Sequence, residues 1–137
     1  MGQLVQLAPV SRPLPGPLSG PVIDTYGRIH SDLRISVTDR CNIRCFYCMP
    51  ETGAEFQSTV NLLTFDQIVR LVKTAVPLGF RKLRLTGGEP LLRPKLPDLV
   101  ASLSALQGIE DLALTTNAVL LAKYAQPLFD AGLRRLN

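Results

Sequence analysis

Tryptophan is absent from this chain, and aromatic residues reach only 6%. A base-stacking platform for single-stranded nucleic acid needs aromatic faces, so that class is excluded first. The net charge is a modest +4 and the pI about 9.3, with no dense basic run. That excludes a nucleic-acid arm, while the surplus suits a polyphosphate ligand. No apolar stretch approaches the roughly 20 residues of a membrane span. The first residues show no basic segment ahead of an apolar core, and Gln6 stands where myristoylation wants Ser or Thr. No membrane partner is expected, and cytoplasm is the expected compartment. Cysteine occurs three times and histidine once. Three clustered cysteines cannot form a disulfide framework and point to metal-type use in a reducing compartment. Hydrophobic residues make up 46% of 137 positions, enough for the core of one modest domain.

All three cysteines lie within Cys41-Asn-Ile-Arg-Cys45-Phe-Tyr-Cys48. Thiolates are soft ligands favouring iron–sulfur clusters, zinc and copper. Three on one loop can hold three corners of a four-iron cube, which normally takes four cysteines, so one iron is left for a ligand other than protein. Two plainer readings stand beside this. Positions 41, 45 and 48 would share one face of a helix as a buried apolar stripe. Arg40, Arg44 and Pro50 speak against that. A structural zinc site usually closes with four ligands, and only His30, eleven residues upstream, is local.

Before the cysteines, Met1 to Pro21 carries Pro9, Pro13, Pro15, Pro17 and Pro21 with Gly16 and Gly20. Residues 1–21 are expected to be a disordered Pro-rich leader, and 22–137 the folded part. Leu33, Ile35 and Val37 alternate with Arg34, Ser36 and Thr38, predicting a strand over 33–38. Glu51 to Asn61 reads as polar loop. Thr64-Phe65-Asp66-Gln67 fits a capping box, with Leu63 stapling against Ile68. Ile68, Leu71, Val72 and Ala75 predict a buried stripe. Pro77 is expected to end regular hydrogen bonding early and Gly79 to close the helix. Residues 80–85 predict a strand running into Gly87-Gly88. A helix over about 97–106 with Leu99, Val100, Leu103 and Leu106 inward, a strand at 112–114, a helix over 119–131 broken at Pro127, and a fourth strand from Leu133 follow.

Strand and helix alternate with short links, which means βα units on a parallel sheet. The cysteine loop, Thr86-Gly87-Gly88-Glu89-Pro90 and Thr115-Thr116-Asn117 each follow a strand. In βα barrels chemistry gathers at that C-terminal face. Gly87 and Gly88 permit close approach that a Cβ would block, and bare amides and carbonyls there can grip an ammonium and a carboxylate. Glu89 either joins that grip or only fixes the loop. Arg34 and Arg84 offer planar paired donors suited to phosphate or a purine edge. Lys82 and Arg93 are candidates to extend a polyphosphate site.

Cys-x3-Cys-x2-Cys followed some forty residues later by Gly-Gly-Glu-Pro resembles the radical S-adenosylmethionine (SAM) superfamily. The segments Asp32 to Cys41, Tyr47 to Pro50, Leu62 to Asp66, Arg84 to Arg93 and Leu114 to Asn117 resemble, within it, the GTP 3′,8-cyclases of molybdenum-cofactor biosynthesis. The resemblance runs from Val22 to the last residue. It implies the N-terminal part of a (βα)6 TIM-like partial barrel, with about three and a half βα units present. It implies a 4Fe–4S cluster on Cys41, Cys45 and Cys48. It further implies SAM contacts at Tyr47 and Gly88 and GTP contacts at Arg34, Arg84 and Thr115. Reductive cleavage of SAM would give a radical that abstracts hydrogen from the ribose, and the sugar carbon would join C8 of guanine. Arg40 and Arg44 would tune the cluster potential.

The implied partners are GTP, a flavodoxin- or ferredoxin-type reductant, and the cyclic pyranopterin monophosphate synthase that takes the product. A homodimer is the implied assembly. Another radical SAM reaction, or a small iron–sulfur or zinc protein, is the alternative. Ala118 departs from the family's usual glycine. The family's second three-cysteine cluster and later barrel strands have no counterpart here, so the chain is read as an N-terminal fragment expected not to complete cyclisation by itself.

Overall fold

A computed structural model describes residues 20–46, 48 and 61–137. Residues 1–19 of the leader, Tyr47 and residues 51–60 of the polar loop lie outside the described residues. The order is β1 (Asp32–Ser36), α1 (Phe65–Ala75), β2 (Lys82–Thr86), α2 (Leu96–Ser104), β3 (Asp111–Leu114), α3 (Leu121–Asp130) and β4 (Arg135–Leu136). The four strands are all parallel in the order β1-β2-β3-β4. Each strand thus neighbours the next in sequence through a helical crossover, the winding of a βα barrel wall rather than a doubly wound sheet. Among the described residues no helix is long and apolar enough to cross a membrane.

All three helices pack on one face. Ile35, Val37, Leu83, Leu85, Leu112 and Leu114 from the sheet meet Ile68 and Val72 of α1, Leu96, Leu99, Val100 and Leu103 of α2, and Leu128 of α3 in one core. Fully burying a Leu or Ile side chain is worth ~1.5–3 kcal/mol, so this seam decides which way each strand faces. Strand alternation then turns Asp32, Arg34 and Ser36, Lys82, Arg84 and Thr86, and Asp111 and Ala113 to the opposite face. That face carries no helix among the described residues.

The start of α1 follows its sequence closely. The Thr64 hydroxyl accepts from the Gln67 amide at 3.2 Å, while the Gln67 side chain accepts from the Thr64 amide at 2.8 Å. The helix ends at Ala75, a 3₁₀ turn with Pro77 follows, and Gly79 closes it at φ +94°. Three expectations need correction. Leu71 is 43% exposed, so the buried stripe is Ile68, Val72 and Ala75 only. Leu63 is 48% exposed and adds little as a staple. Its carbonyl instead accepts from Arg93 Nη2 at 2.7 Å. Pro127 does not break α3, which runs unbroken through it. Proline removes a single amide donor there, and Leu128 anchors the same turn in the core while the 127 carbonyl still accepts from Ala131 at 3.1 Å.

Candidate functional site

The C-terminal ends of the strands are joined beyond their formal limits. Val37 N–H donates to Thr86 O at 2.8 Å, Gly88 N–H to Thr38 O at 2.7 Å, and Glu89 N–H to Arg40 O at 2.7 Å. The segment entering Cys41 therefore runs alongside the Gly-Gly-Glu-Pro segment as a continued ladder. On the other side Thr115 N–H donates to Leu85 O at 2.9 Å, and Thr116 N–H to Asn137 O at 3.1 Å. Three of the sequence motifs thus meet on one rim, as their positions after strands predict.

Glycine is demanded at the ladder's crowded point. A Cβ on Gly87 would lie 2.4 Å from Thr38 O, and one on Gly88 would lie 2.3 Å from Arg40 O. The Gly88 amide is consumed by this joint, as is that of Glu89, which corrects the expectation that the Gly88 amide faces a ligand. The Gly87 and Gly88 carbonyls accept no hydrogen bond among the described residues. Carbonyls are acceptors, so what this strand end offers a ligand suits an ammonium group.

Glu89 is fully buried. Its Oε1 accepts from Leu91 N–H at 2.9 Å and from the Thr116 hydroxyl at 2.8 Å, and its Oε2 accepts from Asn117 N–H at 2.8 Å. Of the two roles open to it in the sequence, the geometry gives it the loop-fixing one. Arg93 is likewise structural. Its guanidinium donates to Val37 O at 2.9 Å and to Leu63 O, and lies 5.2 Å from the Phe65 ring centroid. It braces the base of the cysteine loop against α1 and is not free to extend a polyphosphate site.

The cysteines are unpaired thiols, with Cys41 and Cys45 half-buried and Cys48 exposed. Cys48 N–H donates to Cys45 O at 2.9 Å, making a tight turn between the last two. The Cys41 sulfur accepts from Ile43 N–H at 3.5 Å and from Asn117 Nδ2 at 3.9 Å. Donors aimed at sulfur are what a metal-bound thiolate needs. Among the described residues no three His, Cys, Asp or Glu side chains are grouped to hold a single metal ion. Ligands to separate corners of a polynuclear cluster need not converge on one point, so a free, partly accessible donor set of this kind fits a cluster.

On the open face Arg34 sits in register with Arg84. With Asp32, Lys82 and Arg135 they line a cavity of about 210 Å³. Arg135 is paired with Asp111, whose hydrogen bond raises the guanidinium pKa. Arg34, Lys82 and Arg84 make no ion pair among the described residues. These three cations share the cavity with a single carboxylate, that of Asp32, and a bound polyanion offsets the remaining positive excess. Thr115 lies one layer nearer the rim.

Ala118 has φ +65° in the loop that ends the Thr-Thr-Asn motif. A Cβ in this region costs ~1–2 kcal/mol, part of which glycine returns as unfolded-state entropy. Ala118→Gly is expected to stabilise the chain by about 0.5–1 kcal/mol, read as a raised urea midpoint with an unchanged slope. The turn itself is kept by Ala118 N–H donating to the Thr116 hydroxyl at 3.1 Å. The sequence left Asn117 without a role. Its signal was its place, at a strand end beside two motif loops.

The Radical SAM superfamily model matches residues 35–137. A GTP 3′,8-cyclase of Acidothermus cellulolyticus is 55% identical over 123 residues, covering 87% of this chain and 34% of the relative. Those of Staphylococcus haemolyticus and Rhodopirellula baltica are 55% and 53% identical, covering 83% and 85% of the chain and 35% and 33% of themselves. The chain spans about a third of the length of these curated relatives. With the family model matched over most of the chain, and the cysteine and Gly-Gly-Glu-Pro loops joined on one rim, the chain belongs to the radical SAM superfamily.

Proposed function

We propose that this chain is the cluster-, SAM- and nucleotide-binding N-terminal part of a GTP 3′,8-cyclase, built as part of a (βα)6 partial barrel. Cys41, Cys45 and Cys48 hold a 4Fe–4S cluster with one iron open to SAM, as the three free thiols support. When bound, the cluster supplies one electron for reductive cleavage of the sulfonium. The chain's own residues bind and orient. The Gly87 and Gly88 carbonyls take the methionyl ammonium. Tyr47, between two ligands in sequence, meets the adenine. Arg34, Arg84 and Lys82 take the triphosphate, with Thr115 at its rim side. In this reading a flavodoxin- or ferredoxin-type protein delivers the electron, cyclic pyranopterin monophosphate synthase takes the product, and the working enzyme is a homodimer.

One observation carries the proposal. The chain segment bearing the thiols and the bare-carbonyl loop are bonded through 38–40 and 88–89, beside an open face carrying three unpaired cations. Anaerobic reconstitution tests it. About four iron and four sulfide per chain are expected, and Cys41→Ser, Cys45→Ser or Cys48→Ser each lowers both. One zinc without sulfide would end the radical reading. A titration with GTP and with guanosine then tests the nucleotide site. Binding of GTP well above that of guanosine, weakened about tenfold or more by Arg84→Ala, is expected. GTP binding that Arg84→Ala leaves unchanged counts against the site.

A further inference from the structure

We propose that Asn117 is a positioning residue for the ligand Cys41, its side-chain amide donating to the bound thiolate and setting the potential of the cluster. The inference rests on the reading that Cys41 holds a cluster. It adds a residue 76 positions away in sequence from that ligand.

Both polar side-chain atoms of Asn117 are engaged, and the pattern fixes which way the amide faces. Its Oδ1 accepts from Val119 N–H at 3.1 Å. Nδ2 must then point the other way, where it donates to Asn42 Oδ1 at 2.8 Å and to Cys41 Sγ at 3.9 Å. Swapping the amide would set an oxygen against the Asn42 oxygen and the Cys41 sulfur, two acceptors, and an NH2 against an N–H. The backbone N–H of Asn117 is held by the buried Glu89 carboxylate. A second donor, Ile43 N–H, reaches the same sulfur from within the cysteine loop. Asn117 therefore does two things from one amide. It ties the loop after β3 to the loop after β1, and it presents a hydrogen to one ligand sulfur.

A hydrogen bond to a ligand sulfur stabilises the more negative, reduced cluster and raises its potential. Asn117→Ala deletes the donor. Asn117→Asp keeps an acceptor for Val119 but sets a carboxylate oxygen beside Cys41 and Asn42. Both should move the midpoint to more negative values, Asp further than Ala. A tenfold fall in the ratio of reduced to oxidised cluster at fixed potential corresponds to about 59 mV for one electron.

The test is a redox titration of the reconstituted chain followed by electron paramagnetic resonance, with iron and sulfide measured on the same samples. Wild-type iron content with a midpoint lowered in the order Asn, Ala, Asp supports the proposal. So does loss of iron from both variants at unchanged melting temperature, because the ligand has then lost its support. Unchanged midpoint and iron in both variants overturns it. Should the variants melt early, pulsed resonance of the unsubstituted chain labelled with ¹⁵N in the asparagine side chains decides. A side-chain nitrogen coupling that is kept when Asn42→Ser removes the neighbouring amide supports the contact, and a coupling that is absent, or lost with Asn42, overturns it. A wild-type chain that takes up no iron and sulfide at all instead removes the proposed function, and is told apart by that.

Discussion

Gly88→Ala is expected to destabilise the chain by about 3–5 kcal/mol and to abolish cluster loading. The added Cβ would sit 2.3 Å from Arg40 O, 2.6 Å from the Arg40 carbonyl carbon and 2.7 Å from Asp39 O. Carbon atoms in contact rest at about 3.5–4.0 Å, so one backbone must move by about 1 Å. Neither is free to do so. Gly88 is bonded to Thr38 and Glu89 to Arg40, and losing both bonds adds about 1 kcal/mol each to an overpacking cost of ~1–3 kcal/mol. Arg93 holds Val37 O and Leu63 O and so resists the shift from beneath. The displaced segment is the one that enters Cys41. Urea unfolding measures the first effect and iron per chain the second. Gly87→Ala, aimed at Thr38 O, should behave alike. A Gly88→Ala chain with wild-type midpoint and iron content would show that the two segments are not locked together.

The same joint explains what could and could not be read in the sequence. The strand at 33–38 was legible because apolar and polar residues alternate where the helices bury only one sheet face, while those at 80–85 and 112–114 were legible as short strand-like runs leading into motif loops. The Thr64–Gln67 cap was legible because both partners lie within one turn. Placing the cysteine loop beside Gly-Gly-Glu-Pro was legible because each follows a strand. Long-range polar pairing was not. Arg93 reads as a loose cation in a motif that resembles a ligand site, yet its partners are carbonyls 56 and 30 positions away. Glu89 reads as a candidate for the ammonium, yet two of its three donors come from the loop after β3. Leu71 reads as core because it fits the helical period, yet it is exposed while Ile68, Val72 and Ala75 of the same helix are buried. Periodicity reports which face is apolar, and carries no information on which carbonyl lies opposite a guanidinium.

Glu89→Ala is expected to cost about 3 kcal/mol or more, the largest loss from any side-chain truncation at the rim. The carboxylate is fully buried and is the acceptor for Leu91 N–H, Asn117 N–H and the Thr116 hydroxyl. Each donor stranded without a partner costs ~1–3 kcal/mol, and the Thr116 hydroxyl can recover part of this by turning. Glu89→Gln separates shape from acceptor count. Glutamine keeps the volume but offers one oxygen. With that oxygen at the Oε1 position its NH2 faces the Asn117 amide, and with the amide swapped it faces Leu91. One backbone N–H is orphaned either way, so a loss of about 1–3 kcal/mol is expected, between wild type and Ala. The effect should travel. Glu89→Ala removes the acceptor for the Asn117 amide outright, so the stability losses of Glu89→Ala and Asn117→Ala should overlap, and the double variant should fall short of their sum. Additive losses in the double variant would mean that Glu89 and Asn117 support the rim separately.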